Sequence, residues 1–385
     1  MNVSIIGAST TKFGELWDIS PRTLARDAVN AALAEAGIKK SGIDALFVAN
    51  MLAGPLGGQQ HVGPLFAEEL GLPVPAMTIE GACASGGLAV HAAVLSLLSG
   101  EYETVLVLGV EKMTDHKPED VATALMGAGS DKERMAGCTF PGLYAMLARA
   151  HMEKFGTTDE ELAAVAVKNH FHASLNPNAQ FHSLVTVESV VKSSNIADPL
   201  TLLECSPISD GASAVILTRE PRTQNSMAKK TVKIIASEVA TDTLGLAERE
   251  SLVELAATKR ASSAAYKKAG ITAKDIDVAE VHDCFTIAEI LAMEDLGFYK
   301  KGEAARAIAA GATQLGISKG LVVNSSGGLK GCGHPVGATG VKQIVEIAQQ
   351  LRGTAGKRQV PHAKIGLTQN VGGSGATAVV HILKR

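Results

Sequence analysis

The chain has 385 residues, 46% of them hydrophobic, enough to bury one large core or two smaller ones. Its 36 Lys and Arg against 39 Asp and Glu leave a formal charge of −3 with no long run of one sign, which excludes a nucleic-acid footprint and a polybasic membrane surface. Aromatic residues make up only 4% while glycines number 39, a balance that suits tight helix-on-sheet packing and loops where backbone approaches a ligand closely.

The opening MNVSIIGAST reads as a strand. With no basic leader and no spanning segment recognised in the pattern, a cytoplasmic protein is expected. A helix follows: Ser20 is a ready N-cap, Pro21 fits the first helical position, and Gly37 stands where a C′ glycine belongs. ALFVAN is the next predicted strand. Further along, AAYKKAGITAKDIDVAEVHD repeats the logic of AALAEAGIKKSGIDALFVAN, with Gly270 in the place of Gly37. GACASGGLAVHAA is matched by GHPVGATGVKQIV, a Gly-rich turn before a helix. DGASAVILTRE is matched by GSGATAVVHILKR, a glycine turn before a closing strand. The matched pairs run in the same order, as in a duplicated β/α unit whose halves face each other. Residues 1–114 and 204–225 are expected to form the N-terminal half and 226–385 the C-terminal half. Residues 115–203, with the helical stretches LYAMLARAHMEKFG and DEELAAVAVKNHFHASL, read as a loop domain inserted over one end.

Five scattered cysteines, Cys83, Cys138, Cys205, Cys284 and Cys332, are expected to be free thiols. Cys83 lies between a strand-like entry and a strongly helical run. Orphan N–H groups and the helix dipole at such a start favour thiolate and lower a pKa of about 8.5. His334 sits between Gly333 and Pro335 in the repeat-equivalent turn, where it can serve that thiol as base. His282, Asp283 and Cys284 end a predicted strand, the usual place for ligands in an α/β sheet. Gly372 and Gly373 can offer bare backbone N–H groups to an oxyanion. Gly331, Gly333 and Gly337 match neither the dinucleotide nor the P-loop spacing. His282, Cys284, Cys332 and His334 would total four metal ligands, but H-x-C and C-x-H are not zinc spacings, and no metal is assigned.

The ordered set GACASGG, VHDCFTIAE, NSSGGLKGCGHPVGATG and QNVGGSGATAVV resembles the thiolase superfamily, most of all its sterol-carrier-protein-type and archaeal branch. KNHFHASLNPNAQF and CSPISDGASAVIL extend the likeness over nearly the whole chain. The resemblance implies an α/β fold of five layers, α/β/α/β/α, carrying the inserted loop domain. It implies Cys83 as acyl-accepting nucleophile, His334 as its base and an oxyanion donor, His282 as partner in that oxyanion site, and Gly372 with the Cys83 N–H as a second oxyanion hole. Many thiolases have a second catalytic cysteine where this chain has Asn370, so the resemblance moves the acid/base role to Cys284. Cys332 matches no catalytic position. The implied activity is ping-pong acyl transfer between coenzyme A thioesters, with no permanently bound cofactor. The implied assembly is a homodimer or dimer of dimers, joined to a hydroxymethylglutaryl-CoA synthase and a zinc-ribbon/OB-fold acyl-CoA-binding protein. Rival readings are a thiolase-like aldolase, a ketoacyl synthase and a non-catalytic acyl-CoA-binding subunit; retention of Cys83 speaks against the first two.

Overall fold

The computed structural model describes residues 3–219, 231–316 and 320–385. The chain opens with β1 (Val3–Thr10), α1 (Pro21–Ala36), β2 (Ala45–Ala49), α2 (Ala53–Gly57), α3 (Val62–Leu70), β3 (Ala76–Ile79), α4 (Ser85–Ser99) and β4 (Thr104–Glu111). The first helix is bounded as its sequence predicts: Ser20 Oγ accepts the Thr23 N–H at 3.1 Å, Pro21 is the first residue, and Gly37 closes it at φ 66°. Then come α5 (Pro118–Leu125), α6 (Asp131–Met135), α7 (Phe140–Phe155), α8 (Asp159–Ser174) and α9 (Val187–Val191), with a ribbon of β5 (Asn195–Ala197) and β6 (Leu200–Thr201), before β7 (Gly211–Thr218). Thr158 and Glu161 form a capping box that starts α8. The remainder is β8 (Val232–Thr241), α10 (Ala256–Ala269), β9 (Val278–Glu280), α11 (Thr286–Asp295), α12 (Ala304–Ala309), β10 (Val322–Val323), α13 (Gly328–Cys332), α14 (Val336–Arg352), β11 (Ile365–Gly372) and β12 (Thr377–Lys384). The expected division between the halves at 225 and 226 falls outside the described residues.

The large sheet runs β10-β9-β11-β12-β8-β1-β7-β4-β2-β3. Read outward from its centre, each half has the same five-strand order. In each, the outer three strands pair in parallel (β3 with β2 with β4, β10 with β9 with β11) and the inner ones antiparallel (β4 with β7 with β1, β11 with β12 with β8). The matched sequence segments are therefore matched elements: α1 with α10, α4 with α14, and β7 with β12. The halves join where β1 pairs antiparallel with β8, Val3 opposite Ile234.

Alternation along the strands sorts their side chains into layers. Val105 and Val107 of β4 and Val215 and Leu217 of β7 join a core with α4 and α14, while Leu106, Leu108, Ala214 and Ile216 join one with α1. Helix α14 packs on β4 and β7 of one half and β11 of the other, and α4 likewise meets β2, β4, β8 and β12. With α1 outside one half and α10 outside the other, the result is the five-layered α/β/α/β/α arrangement expected. Residues Ala82–Ser99 are long and apolar enough to cross a membrane by composition, contrary to the reading that no such segment exists. Here the stretch is the core helix α4, apolar because both half-sheets cover it.

The two central helices cross at backbone contact. A Cβ on Gly86 would stand 2.7 Å from the Gly340 N, and one on Gly340 would stand 2.2 Å from the Gly87 N. Gly340→Ala is expected to cost about 3 kcal/mol or more, because the added methyl meets both the Gly87 backbone N and the Asn370 amide oxygen at 2.2 Å. Denaturant unfolding checks this; a Gly340→Ala protein with an unchanged midpoint would show that the crossing relaxes.

Candidate active site

Four chain segments converge where the halves meet: the turn before α4, the residues following β9, the turn before α14 and the end of β11. Cys83 lies in a tight turn, Ala82–Ala84, that runs directly into α4. Ala82 holds φ 54°, a left-handed conformation unfavourable for a residue with a Cβ. The turn is held by the Ser85 hydroxyl, which accepts the Gly81 N–H at 3.0 Å and donates to the Ala82 carbonyl at 2.6 Å. His334 is placed by its own N–H, which donates to Ser209 Oγ at 2.9 Å. Glu111, at the end of β4, accepts the Gly337 N–H at 3.0 Å and those of Met51 and Leu52, tying the first turn of α14 to the N-terminal half. The His282 N–H donates to Gln369 Oε1 at 2.9 Å.

Cys83 Sγ and one ring nitrogen from each of His282 and His334 lie within 4.8 Å of one another. The rings meet edge to face, centroids 5.1 Å apart. Burial pushes the His334 pKa down to about 3, with the Lys342 ammonium adding to it, and burial followed by His334 holds His282 well below the ordinary range. Both imidazoles are neutral at physiological pH. Cys83 departs from expectation. Burial pushes its thiol up to about 12, Glu111 and Glu80 add to the effect, and the Gly373 N–H opposes it without reversing it. A helix start alone does not make a resting thiolate here, so the thiol needs a base.

Cys284 joins this centre. It lines, with Cys83, His334, Tyr144 and Phe285, an apolar cavity of about 200 Å³. Burial holds its thiol well above the ordinary range. The Tyr144 hydroxyl donates to the Gly373 carbonyl at 3.0 Å, and its ring stacks on Phe285 at 4.7 Å. Asp283 turns away from the centre: its carboxylate accepts the Leu329 and Lys330 N–H groups and the Asn169 amide, and so anchors α13. Cys332 is elsewhere too, packed with Phe13, Ala173, Ala179 and Ala338. Gly372 meets the Gly81 carbonyl so closely that a Cβ would come to 2.6 Å, while the N–H directed at the Cys83 sulfur is that of the next residue, Gly373.

Sequence reasoning did not single out Tyr144 or Cys205, which lines the same cavity. Cys205 opens the CSPISDG stretch and was within reach as a cysteine in a matched motif; Tyr144, in an ordinary amphipathic helix, carried no signal. Among the described residues Cys83, His282 and His334 form the only histidine, cysteine or carboxylate cluster compact enough to consider for a metal. The cluster offers one ligand atom from each of its three residues, fewer than the four of a structural zinc site.

Fold and site together define an α/β enzyme with a cysteine at an apolar cavity and two neutral histidines beside its sulfur. Residues 3–221 match the family "Thiolase, N-terminal domain" and residues 239–385 match "Thiolase C-terminal domain-like". The chain is 49% identical to an acetyl-CoA acetyltransferase of Methanothermobacter thermautotrophicus, with all of both chains covered. It is 36% identical to sterol carrier protein 2 of Homo sapiens, covering 98% of this chain and 71% of that one. In fold it is similar to the Ltp2-ChsH2(DUF35) aldolase, with a TM-score of 0.83, 24% identity, and coverage of 99% of this chain and 97% of that one. The chain belongs to the thiolase family and is an acyltransferase of that type.

The raised thiol pKa sets the pH dependence of alkylation. In the free enzyme the iodoacetamide rate at Cys83 should rise about tenfold per pH unit from pH 7 to 10 without levelling off, because thiolate remains the minor form throughout. Peptide mapping by mass spectrometry measures it. A plateau below pH 9 would mean that the thiolate already dominates at rest.

Proposed function

We propose that the chain catalyses the reversible Claisen condensation of an acyl-CoA with acetyl-CoA, two acetyl-CoA giving acetoacetyl-CoA, through an acyl-enzyme on Cys83. The observation that carries this reading is the meeting of Cys83, His334 and Cys284 at one apolar cavity, with a ring nitrogen of His282 within 4.8 Å of the Cys83 sulfur. The acetyltransferase relative supports the choice of acetyl-CoA.

In the proposed cycle the Cys83 proton passes to His334, and the sulfur attacks the thioester carbonyl. The resulting oxyanion is held by the Cys83 N–H with Gly372 or its neighbour Gly373. Collapse expels the coenzyme A sulfur, which takes the Cys284 proton and leaves as free thiol. Cys284 is then a thiolate facing a protonated His334. The second acetyl-CoA gives its α-proton to Cys284, and its enolate oxygen is stabilised by His282 and His334. The enolate carbon attacks the acyl-enzyme, and Cys83 recovers its proton from His334. Thiolysis runs the same steps backwards.

Around this centre we place residues 115–203 as the loop domain that receives coenzyme A. The reading extends to a cytoplasmic homodimer or homotetramer, in complex with a hydroxymethylglutaryl-CoA synthase and a zinc-ribbon/OB-fold acyl-CoA-binding protein. The partner reading draws support from the fold likeness to the Ltp2-ChsH2(DUF35) aldolase.

Separating the half-reactions tests the division of labour. Cys284→Ala should still become S-acetylated at Cys83, yet lose both exchange of the acetyl-CoA methyl protons with deuterated water and condensation, by about 100-fold or more. Retention of both by that variant, with their loss in Cys332→Ala, would move the base to Cys332. A wild-type protein that acetyl-CoA does not acetylate would instead be a binding subunit.

A further inference from the structure

The two histidines both lie beside the Cys83 sulfur but have different neighbours, and the hydrogen-bond partners around each point to one arrangement of protons. At His334, Nδ1 lies 2.7 Å from Thr339 Oγ1. The Thr339 hydroxyl also lies 3.0 Å from the Pro335 carbonyl, in the donating geometry of a helical threonine towards the carbonyl four residues back. With its proton directed there its oxygen accepts from the ring, which makes His334 the Nδ1–H form with a lone pair at Nε2.

At His282 the partner is Asn370, and the orientation of that amide is settled twice over. The Gly87 N–H, an orphan donor in the first turn of α4, is 3.0 Å from Asn370 Oδ1, so that atom must be the carbonyl oxygen. Asn370 Nδ2 faces the Cys83 carbonyl at 2.9 Å, so that atom must be the donor. The second proton of the same NH₂ group points to His282 Nδ1 at 3.1 Å. That nitrogen accepts, and the ring proton is on Nε2. His282 Nε2 is fully enclosed and has no hydrogen-bond partner among the described residues.

The amide cannot turn to relieve this. It sits where α4 and α14 cross, and a Cβ on Gly340 or Gly87 would stand 2.2 or 3.1 Å from its oxygen. We infer that Asn370 and Thr339 are positioning residues that hold His282 and His334 in opposite tautomers. His334 presents a lone pair at Nε2, able to take the Cys83 proton, and His282 presents an Nε2–H, able to donate to an oxyanion. The inference rests on the proposed reading of the site for its chemical meaning, though the tautomers themselves do not depend on it. It also assigns Asn370 a task in place of the cysteine found there in many thiolases.

The experiment is a long-range ¹H–¹⁵N correlation on protein labelled with ¹⁵N-histidine, assigned with His282→Gln and His334→Gln. The expected spectrum shows His334 protonated at Nδ1 alone and His282 at Nε2 alone. Asn370→Asp replaces the donor by an acceptor of the same shape and should move the His282 proton to Nδ1. Thr339→Val should release His334 from its single form, and Thr339→Ser should restore it. In half-reaction assays Asn370→Asp should lower kcat for condensation by roughly 100-fold, the scale of one oxyanion donor, with a smaller effect on S-acetylation. Identical tautomers in the wild-type protein, or a His282 signal unmoved by Asn370→Asp, would overturn the inference. Opposite tautomers in a protein that acetyl-CoA fails to acetylate would leave it standing and remove the thiolase reading instead.

Discussion

The contact on which the rest depends is the crossing of α4 and α14, where Gly86, Gly87 and Gly340 bring two helix backbones together without side chains between them. Each helix is covered by both half-sheets, so their separation sets how closely the halves approach. Their N-termini carry Cys83 and the turn of His334. A wider crossing would draw thiol and imidazole apart and open the slot that grips the Asn370 amide. Packing and chemistry thus meet in one requirement, absence of a Cβ at the crossing, for which small residues in both helices are the only solution.

Much of this was written in local sequence signals. The Ser20, Pro21 and Gly37 boundaries and the matched glycine turns each have a nearest-neighbour cause, and all became the elements they predicted. The duplication was legible because the halves repeat whole β/α units. What escaped was whatever depends on depth and on partners distant in the chain. The thiol of Cys83 was expected to be acidified by its helix start. That effect is a partial charge at a few ångströms, and removing the thiol from water outweighs it. Asp283 stood between two reactive side chains in the sequence, yet its backbone turns it towards the N–H groups of α13. Asn370 looked like a missing cysteine. Its three hydrogen-bond partners, Gly87, Cys83 and His282, are 283, 287 and 88 residues away.

Buried charge surrounds the centre without entering it. Glu280 pairs with Lys342 at 3.0 Å and Glu346 with Arg358 at 2.9 Å, and Glu111 spends its carboxylate on backbone N–H groups. Each carboxylate is answered locally, as burial of a charge requires. The consequence reaches the histidines: among the described residues no carboxylate hydrogen-bonds either ring to favour an imidazolium. A neutral base beside a neutral thiol can exchange a proton when the substrate arrives, whereas a standing ion pair in this apolar cavity would have to be maintained at the cost of desolvation.

Neutrality, however, leaves two identical side chains to do opposite work, and pKa alone cannot tell them apart. Lowering both below physiological pH makes each a donor at one nitrogen and an acceptor at the other, and only the second nitrogen's partner decides which faces the cavity. Thr339 belongs to α14, the helix that His334 precedes; Asn370 belongs to β11, the strand whose neighbour β9 leads into His282. Each ring is therefore set by the structural element that also positions it. The pseudo-symmetric fold brings the groups of the proposed cycle together, but that cycle needs them unequal. Asn370 and Thr339 supply that asymmetry with two neutral groups and no additional buried charge.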